Sequence, residues 1–160
     1  MRLNDAFKTG ISFGLTSGTI TTLGLMVGLS SASHSASIVI GGVLTLALAD
    51  SFSDALGIHI SAESRKESSR SVWEATIATF LTKIIYTCTY LIPVLLFQLP
   101  LGIYVGVAWG LVVITTLSFL IAKAQKESAW RVIGEHLFIT IVVILLSNYI
   151  GGWIADVFGS

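Results

Sequence analysis

The sequence predicts an all-α integral membrane protein: one domain over residues 1–160, a bundle of five transmembrane helices with its N-terminus in the cytoplasm and its C-terminus outside. Three observations lead there. Of the 160 residues, 54% are apolar and only 11% charged, with a mean hydropathy of +0.87, whereas ordinary soluble domains carry roughly 25% charged residues. Five apolar windows, at about 10–31, 37–60, 73–98, 102–122 and 132–157, are each long enough to cross a hydrocarbon core, which takes about 20 helical residues. The basic residues are sided: Arg2 and Lys8 precede the first window, Arg65, Lys66 and Arg70 join the second to the third, and Lys123, Lys126 and Arg131 join the fourth to the fifth. Eight of nine basic residues thus fall on one side, and the positive-inside rule makes that side cytoplasmic, in the cell membrane or an organellar membrane.

Span one follows "MRLNDAFKT" and reads "GISFGLTSGTITTLGLMVGL". It runs through a short connection into a second span without a small-residue cleavage site, so no signal peptide is expected. Gly10, Gly14 and Gly18 recur every four residues and Gly24 and Gly28 repeat the pattern. Such small-xxx-small faces let helix backbones approach closely in lipid. They serve either packing within one protomer or a homodimer through span one. Thr16, Ser17, Thr19, Thr21 and Thr22 are interleaved with them; each hydroxyl can satisfy itself on its own helix or line a hydrated path. Ser17 and Thr21, four apart, share a face.

Span two carries "LTLALADSFSDALGIHI", in which Asp50 and Asp54 interrupt an apolar run. A carboxylate at the centre of a membrane helix costs about 2.5–3.5 kcal/mol on insertion scales, so two of them need a partner, a proton or a task. Their spacing presents both to the same neighbour, with Ser53 and Gly57 beside them. Span three offers one partner, Lys83, the ninth basic residue, at comparable depth. An ion pair with it leaves one acid over, and a divalent cation with oxygen ligands is the alternative. His59, toward the cytoplasmic end of span two, is a candidate proton relay, a role histidine commonly fills.

Cys88 lies inside span three and has no partner for an intramolecular disulfide. Pro93 kinks that span or marks its last turns, and Pro100 sits in the following hairpin. Span four, 102–122, carries no charged residue. Glu135 and His136 stand about a turn inside span five and are further candidates for charge coupling. Trp73 and Trp130 at the cytoplasmic ends, and Tyr149 and Trp153 near the outer end, suit interfacial belts.

Several of these strings resemble the vacuolar iron transporter family. "SGTITTLGLMVG" is similar to its first-helix signature and "ADSFSDALGIHISAESRKE" to its second, which ends in Ser-x-x-Ser-x-x-Glu. "EATIATFLTKIIYTCTYLIPVLL" resembles its third helix and "SAWRVIGEHLFITIVVILLSNYIGGWI" its last. The resemblance implies a dimer of five-helix protomers, with helices one and two lining a path at the two-fold axis, that exports Fe²⁺ or Mn²⁺ from the cytoplasm in exchange for protons. The metal would be transported cargo rather than a resident cofactor. In an ungapped alignment the family's first-helix Asp falls on Ser17, its second-helix Met on Asp54 and its second-helix Glu on Ile58, and its helical cytoplasmic insertion is replaced by "SAESRKESSRSV". A carboxylate in place of a thioether shifts the ligand set toward hard oxygen donors, which suits Mn²⁺ or Mg²⁺ as well as Fe²⁺.

The expected metal ligands are therefore Asp50, Asp54, Ser17 and Thr21, with Lys83, His59, Glu135 and His136 coupling charge or protons. A transporter of another solute on the same scaffold and a non-transporting membrane scaffold are the alternatives. The expected partners are membrane lipid and a second copy of the chain, with no nucleic acid. Enzymatic chemistry is not expected: the sequence has no nucleophile elbow, no His-Glu-x-x-His zinc pair and no phosphate-binding glycine loop.

Overall fold

A computed structural model describes residues 3–159; Met1, Arg2 and Ser160 lie outside the described residues, Arg2 with its place in the sided basic set. The elements are α1 (Leu3–Ser33), α2 (Ala36–Ser64), α3 (Ser69–Thr89), α4 (Leu91–Leu96), α5 (Leu101–Gln125) and α6 (Ala129–Phe158). With α3 and α4 taken as one span, Ser69–Leu96, five helices are long and apolar enough to cross a membrane. The protein is a five-span, all-α membrane bundle. The helices outrun the apolar windows at the end of the bundle that gathers the basic residues. Pairs four apart on the outer surface, Arg70–Glu74 at 3.3 Å and Arg131–Glu135 at 2.9 Å, support those extra turns.

The two connections at this basic end are the same turn. Lys66 and Lys126 adopt the left-handed conformation (φ 57° and 59°). The following amides of Glu67 and Glu127 donate back to the carbonyls of Ala62 and Ala122, at 3.2 and 2.9 Å. This closes the orphan carbonyls of α2 and α5. Ser68 and Ser128 then take the N-cap positions of α3 and α6, where the Ser68 hydroxyl accepts from the Ser71 amide at 3.2 Å and the Ser128 side chain makes no such bond. At the opposite end, Ser35 caps α2, and the third span breaks at Tyr90, three residues before Pro93. Proline lacks the amide a continuing helix needs and clashes with the preceding turn.

The central helix is α1, which packs against α2, α3, α5 and α6. Its glycines make this possible. Gly10 and Gly14 sit against the α3 backbone, where a Cβ on Gly14 would lie 3.0 Å from the Thr79 carbonyl oxygen. Gly24 and Gly28 sit against Val143 and Ser147 of α6. Both small-residue repeats thus bring α1 close to other helices of its own protomer, Gly10 and Gly14 to α3 and Gly24 and Gly28 to α6. The large core side chains (Leu23, Met26, Val39, Val43, Tyr90 and Ile103 among them) collect in the half of the bundle away from the basic end. Where glycine contacts give way to that bulky core, α1, α2 and α3 leave room for one long polar side chain.

Candidate functional site

That side chain is Lys83, which has no exposed surface. It leaves α3 midway along the helix beside Gly18, where even a Cβ would sit only 3.5 Å from Lys83 Cγ. Its Nζ donates to Ser17 Oγ of α1 at 2.9 Å and to Asp54 Oδ2 of α2, and lies 2.6 Å from Asp50 Oδ2. Asp50 Oδ2 has no aligned hydrogen bond, so its link to the ammonium is an ion pair alone. Ser17, Asp50, Asp54 and Lys83 all lie near the middles of their helices, which in a bilayer is the hydrocarbon centre.

The expectation that Lys83 pairs with one acid and leaves the other over is corrected here: the ammonium sits between both. The four-residue spacing stacks the carboxylates one turn apart, and the long lysine side chain reaches both of them. Taken together the three charges sum to −1. A buried ammonium in low dielectric requires such compensation, because the unpaired ion is far costlier than the pair. The two acids are less enclosed than the base, with side chains 22% and 19% exposed. They open along the outer flank of α2, where Gly41, Thr45, Ala49, Ser53 and Gly57 form an exposed stripe of small residues, and no atom lies within 4 Å of the Cβ position of Gly41 or Gly57.

The remaining expected residues divide. Thr21 does not join the site: its hydroxyl donates to the Ser17 carbonyl at 2.9 Å, and its side chain lines an apolar cavity toward α6. Glu135 lies on the outer surface, paired with Arg131, and His136 bonds Ser118 of α5 at 2.7 Å through Nδ1. No contact joins α2 to α6 among the described residues, so neither residue is brought to the aspartates. His59 faces α3 nearer the basic end, with Nδ1 3.0 Å from Thr76 Oγ1, Nε2 3.5 Å from Glu63 and the Trp73 indole edge-on at 4.9 Å.

Two features of the surroundings escape sequence reasoning. Ser51, fully buried next to Asp50, has a hydroxyl without a hydrogen-bond partner among the described residues. Beyond Lys83, toward the bulky core, lie two further pairs of buried hydroxyls, Thr22–Thr87 (3.4 Å) and Tyr86–Tyr90 (3.0 Å). The i, i+4 repeat of Val39, Val43, Ala47, Ser51 and Ala55 identifies the packed stripe of α2 and could have flagged Ser51. No comparable signal singles out the tyrosines.

Fold and site together define a class: a five-span membrane bundle with an acid–base–acid cluster at mid-depth. No protein-family model, curated protein or solved structure matches the chain. Among the described residues, no three His, Cys, Asp or Glu side chains come together as a ready metal cage. Any cation taken up at Asp50 and Asp54 would complete its shell with hydroxyl, carbonyl or water oxygen, as hard divalent ions accept.

Proposed function

We propose that the protein is a membrane transporter that moves a divalent metal cation, Mn²⁺ or Fe²⁺, out of the cytoplasm in exchange for protons, with Asp50 and Asp54 as the ion-binding carboxylates. The observation that carries this reading is the placement of a fully buried ammonium between two mid-membrane carboxylates that keep an open flank. Intramembrane ionisable residues are expensive, and their commonest use is on ion and proton pathways. A divalent cation arriving between the carboxylates takes the electrostatic role of Lys83, which then swings aside toward Ser17 or gives up its proton. Binding of metal and retention of the proton compete, as exchange requires. Metal affinity accordingly falls as pH drops, because protons compete for the carboxylates.

A static role for the cluster is favoured by one observation: the buried Lys83 ammonium is already surrounded by three oxygens, hydrogen-bonded to Ser17 and Asp54 and ion-paired with Asp50. Uptake of Mn²⁺, Fe²⁺ and Mg²⁺ into sealed proteoliposomes, with and without a pH gradient, separates the two. Metal-dependent proton movement supports the exchanger; its absence for all three ions leaves the structural cluster.

The working unit in this reading is a homodimer. Because the glycines of α1 are engaged within the protomer, the second copy is assigned to the open small-residue flank of α2, which would cover Ser53 and the exposed edges of the carboxylates. In this reading the N-terminus is cytoplasmic, which the sided basic residues support through the positive-inside rule. Labelling of a cysteine introduced at Lys126 on a Cys88→Ser background tests that: reaction in intact cells before permeabilisation would reverse the orientation.

A further inference from the structure

Outside the apolar zone, at the basic end, a polar cavity of about 290 Å³ lies between the last turns of α2 and the first turns of α3, lined by His59, Glu63, Glu67, Ser69, Val72 and Trp73. Its unusual member is Glu67. The side chain is only 7% exposed; Oε1 accepts from Arg65 Nε at 2.9 Å, while Oε2 is buried and finds no hydrogen-bond partner among the described residues. A buried acceptor left unpaired costs about 1–3 kcal/mol, more when charged. The turn itself does not impose that cost. Glu127 occupies the same place in the identical turn between α5 and α6 and stands exposed. What differs is the surroundings, because only the α2–α3 turn has a second acid and a histidine, Glu63 and His59, across from its glutamate.

We infer that this cavity is a docking site for a hydrated divalent cation, held through its water shell by Glu67 and Glu63 outside the membrane-spanning zone. The donor set is of hard oxygens, two carboxylates and the Ser69 hydroxyl, which selects small divalent cations over soft metals. The charges agree: Glu63 and Glu67 oppose Arg65, and Arg70 is occupied by Glu74. The ion keeps its water because no three ligand side chains converge on one point. A cavity of about 290 Å³ has room for a shell of six waters, each of which needs about 10–15 Å³ of such space. Rotation of the Glu67 carboxylate about χ3, a soft torsion, brings Oε2 to bear on that shell. The site does not depend on the transport reading, since it requires neither Asp50, Asp54 nor movement of an ion across the bilayer.

Trp73 lines the cavity and reports on it. With Trp109, Trp130 and Trp153 replaced by Phe, the full-length protein in nanodiscs is titrated with Mn²⁺, which quenches indole fluorescence at short range. Saturable quenching is expected, displaced by Mg²⁺. Free Mn²⁺, followed by electron paramagnetic resonance, is expected to be released by hexaamminecobalt(III), whose shell does not exchange. Glu67→Gln should raise the half-saturating Mn²⁺ concentration about tenfold, as loss of an outer-sphere partner does. Glu63→Gln, at an exposed position, should weaken binding in the same direction and carries the test if Glu67→Gln fails to fold. The Asp50→Asn/Asp54→Asn double variant should leave the titration unchanged. Linear, unsaturable quenching, equal titrations of the parent and both Glu variants, or loss of the response in the Asp double variant would each overturn the inference. No displacement by hexaamminecobalt(III) would do the same for outer-sphere binding.

Discussion

The α2–α3 and α5–α6 hairpins share one turn, Lys-Glu-Ser at 66–68 and 126–128, with the same left-handed lysine and the same return bond to an alanine carbonyl. Each is also tied across, a little way in, by a histidine–hydroxyl hydrogen bond, His59–Thr76 in one and His136–Ser118 in the other. Counted from the turn, however, the positions of Asp50, Asp54 and Lys83 in the first hairpin are Gly110, Ile114 and Val143 in the second. The scaffold is served equally well by both fillings. The charges of the first hairpin are therefore not needed to build a hairpin of this kind, and that makes a purpose other than folding the better account of them.

The largest effect that would sharpen this contrast is on transport. Asp50→Asn and Asp54→Asn should each bring metal-driven proton exchange in proteoliposomes to background, whereas Glu135→Gln in the second hairpin should leave it intact. Wild-type exchange in either Asp variant would break the functional reading of the cluster. If the ion sits where the family resemblance places its methionine ligand, Asp54→Asn is the more severe of the two.

Stability comes next. Lys83→Met leaves two carboxylates in low dielectric without their cation and should cost about 3–5 kcal/mol, the usual result of removing one partner of a buried pair. Converting the whole cluster to its counterpart, Asp50→Gly, Asp54→Ile and Lys83→Val together, should recover most of that loss, since apolar replacement of a complete buried ion pair is often neutral. Thermal unfolding in detergent measures both. A triple variant less stable than Lys83→Met would mean that the cluster builds the fold.

A smaller contrast separates the two sets of glycines. Gly14→Leu drives a side chain into the Thr79 carbonyl and Thr82, and should destabilise the protomer by about 1–3 kcal/mol, as overpacking does. Gly57→Leu meets no neighbouring atom, so it should leave the melting temperature in place and weaken self-association, read by cross-linking in lipid. Unchanged association would remove α2 as the dimer face. The smallest effects are those of the two crossties: His59→Ala and His136→Ala should each cost about 0.5–1.5 kcal/mol, the net worth of one hydrogen bond. A much larger loss at His59 alone would show that it does more than hold its hairpin together.

Much of the fold was legible because the signals that specify it are local. Five apolar runs, the helix-breaking Pro93 and the clustering of Lys and Arg at alternate connections need no knowledge of which helix touches which, and the five spans follow from them. The depth of Lys83 beside Asp50 and Asp54 was equally readable, as a residue count from the ends of two windows. Other assignments depended on helix rotation and neighbours. Ser17 and Thr21 share a face by spacing, yet Ser17 alone meets the ammonium, because Thr21 spends its hydroxyl on its own helix. The glycine repeats of α1 announce close packing without naming the partner, and the central position of α1 turns them inward to α3 and α6. His136 and Asp54 stand at readable depths, but the absence of contact between α2 and α6 among the described residues separates them. Glu67 is the sharpest case. Its sequence neighbourhood matches that of Glu127 at Lys, Glu and Ser, and only the arrangement of Arg65, His59 and Glu63 around it buries one carboxylate while the other stays exposed. Hydropathy and backbone punctuation are written along the chain, so the sequence determined the number, length and breaks of the helices. Burial and ion pairing are properties of surfaces facing each other, and those faces exist only once the bundle has closed.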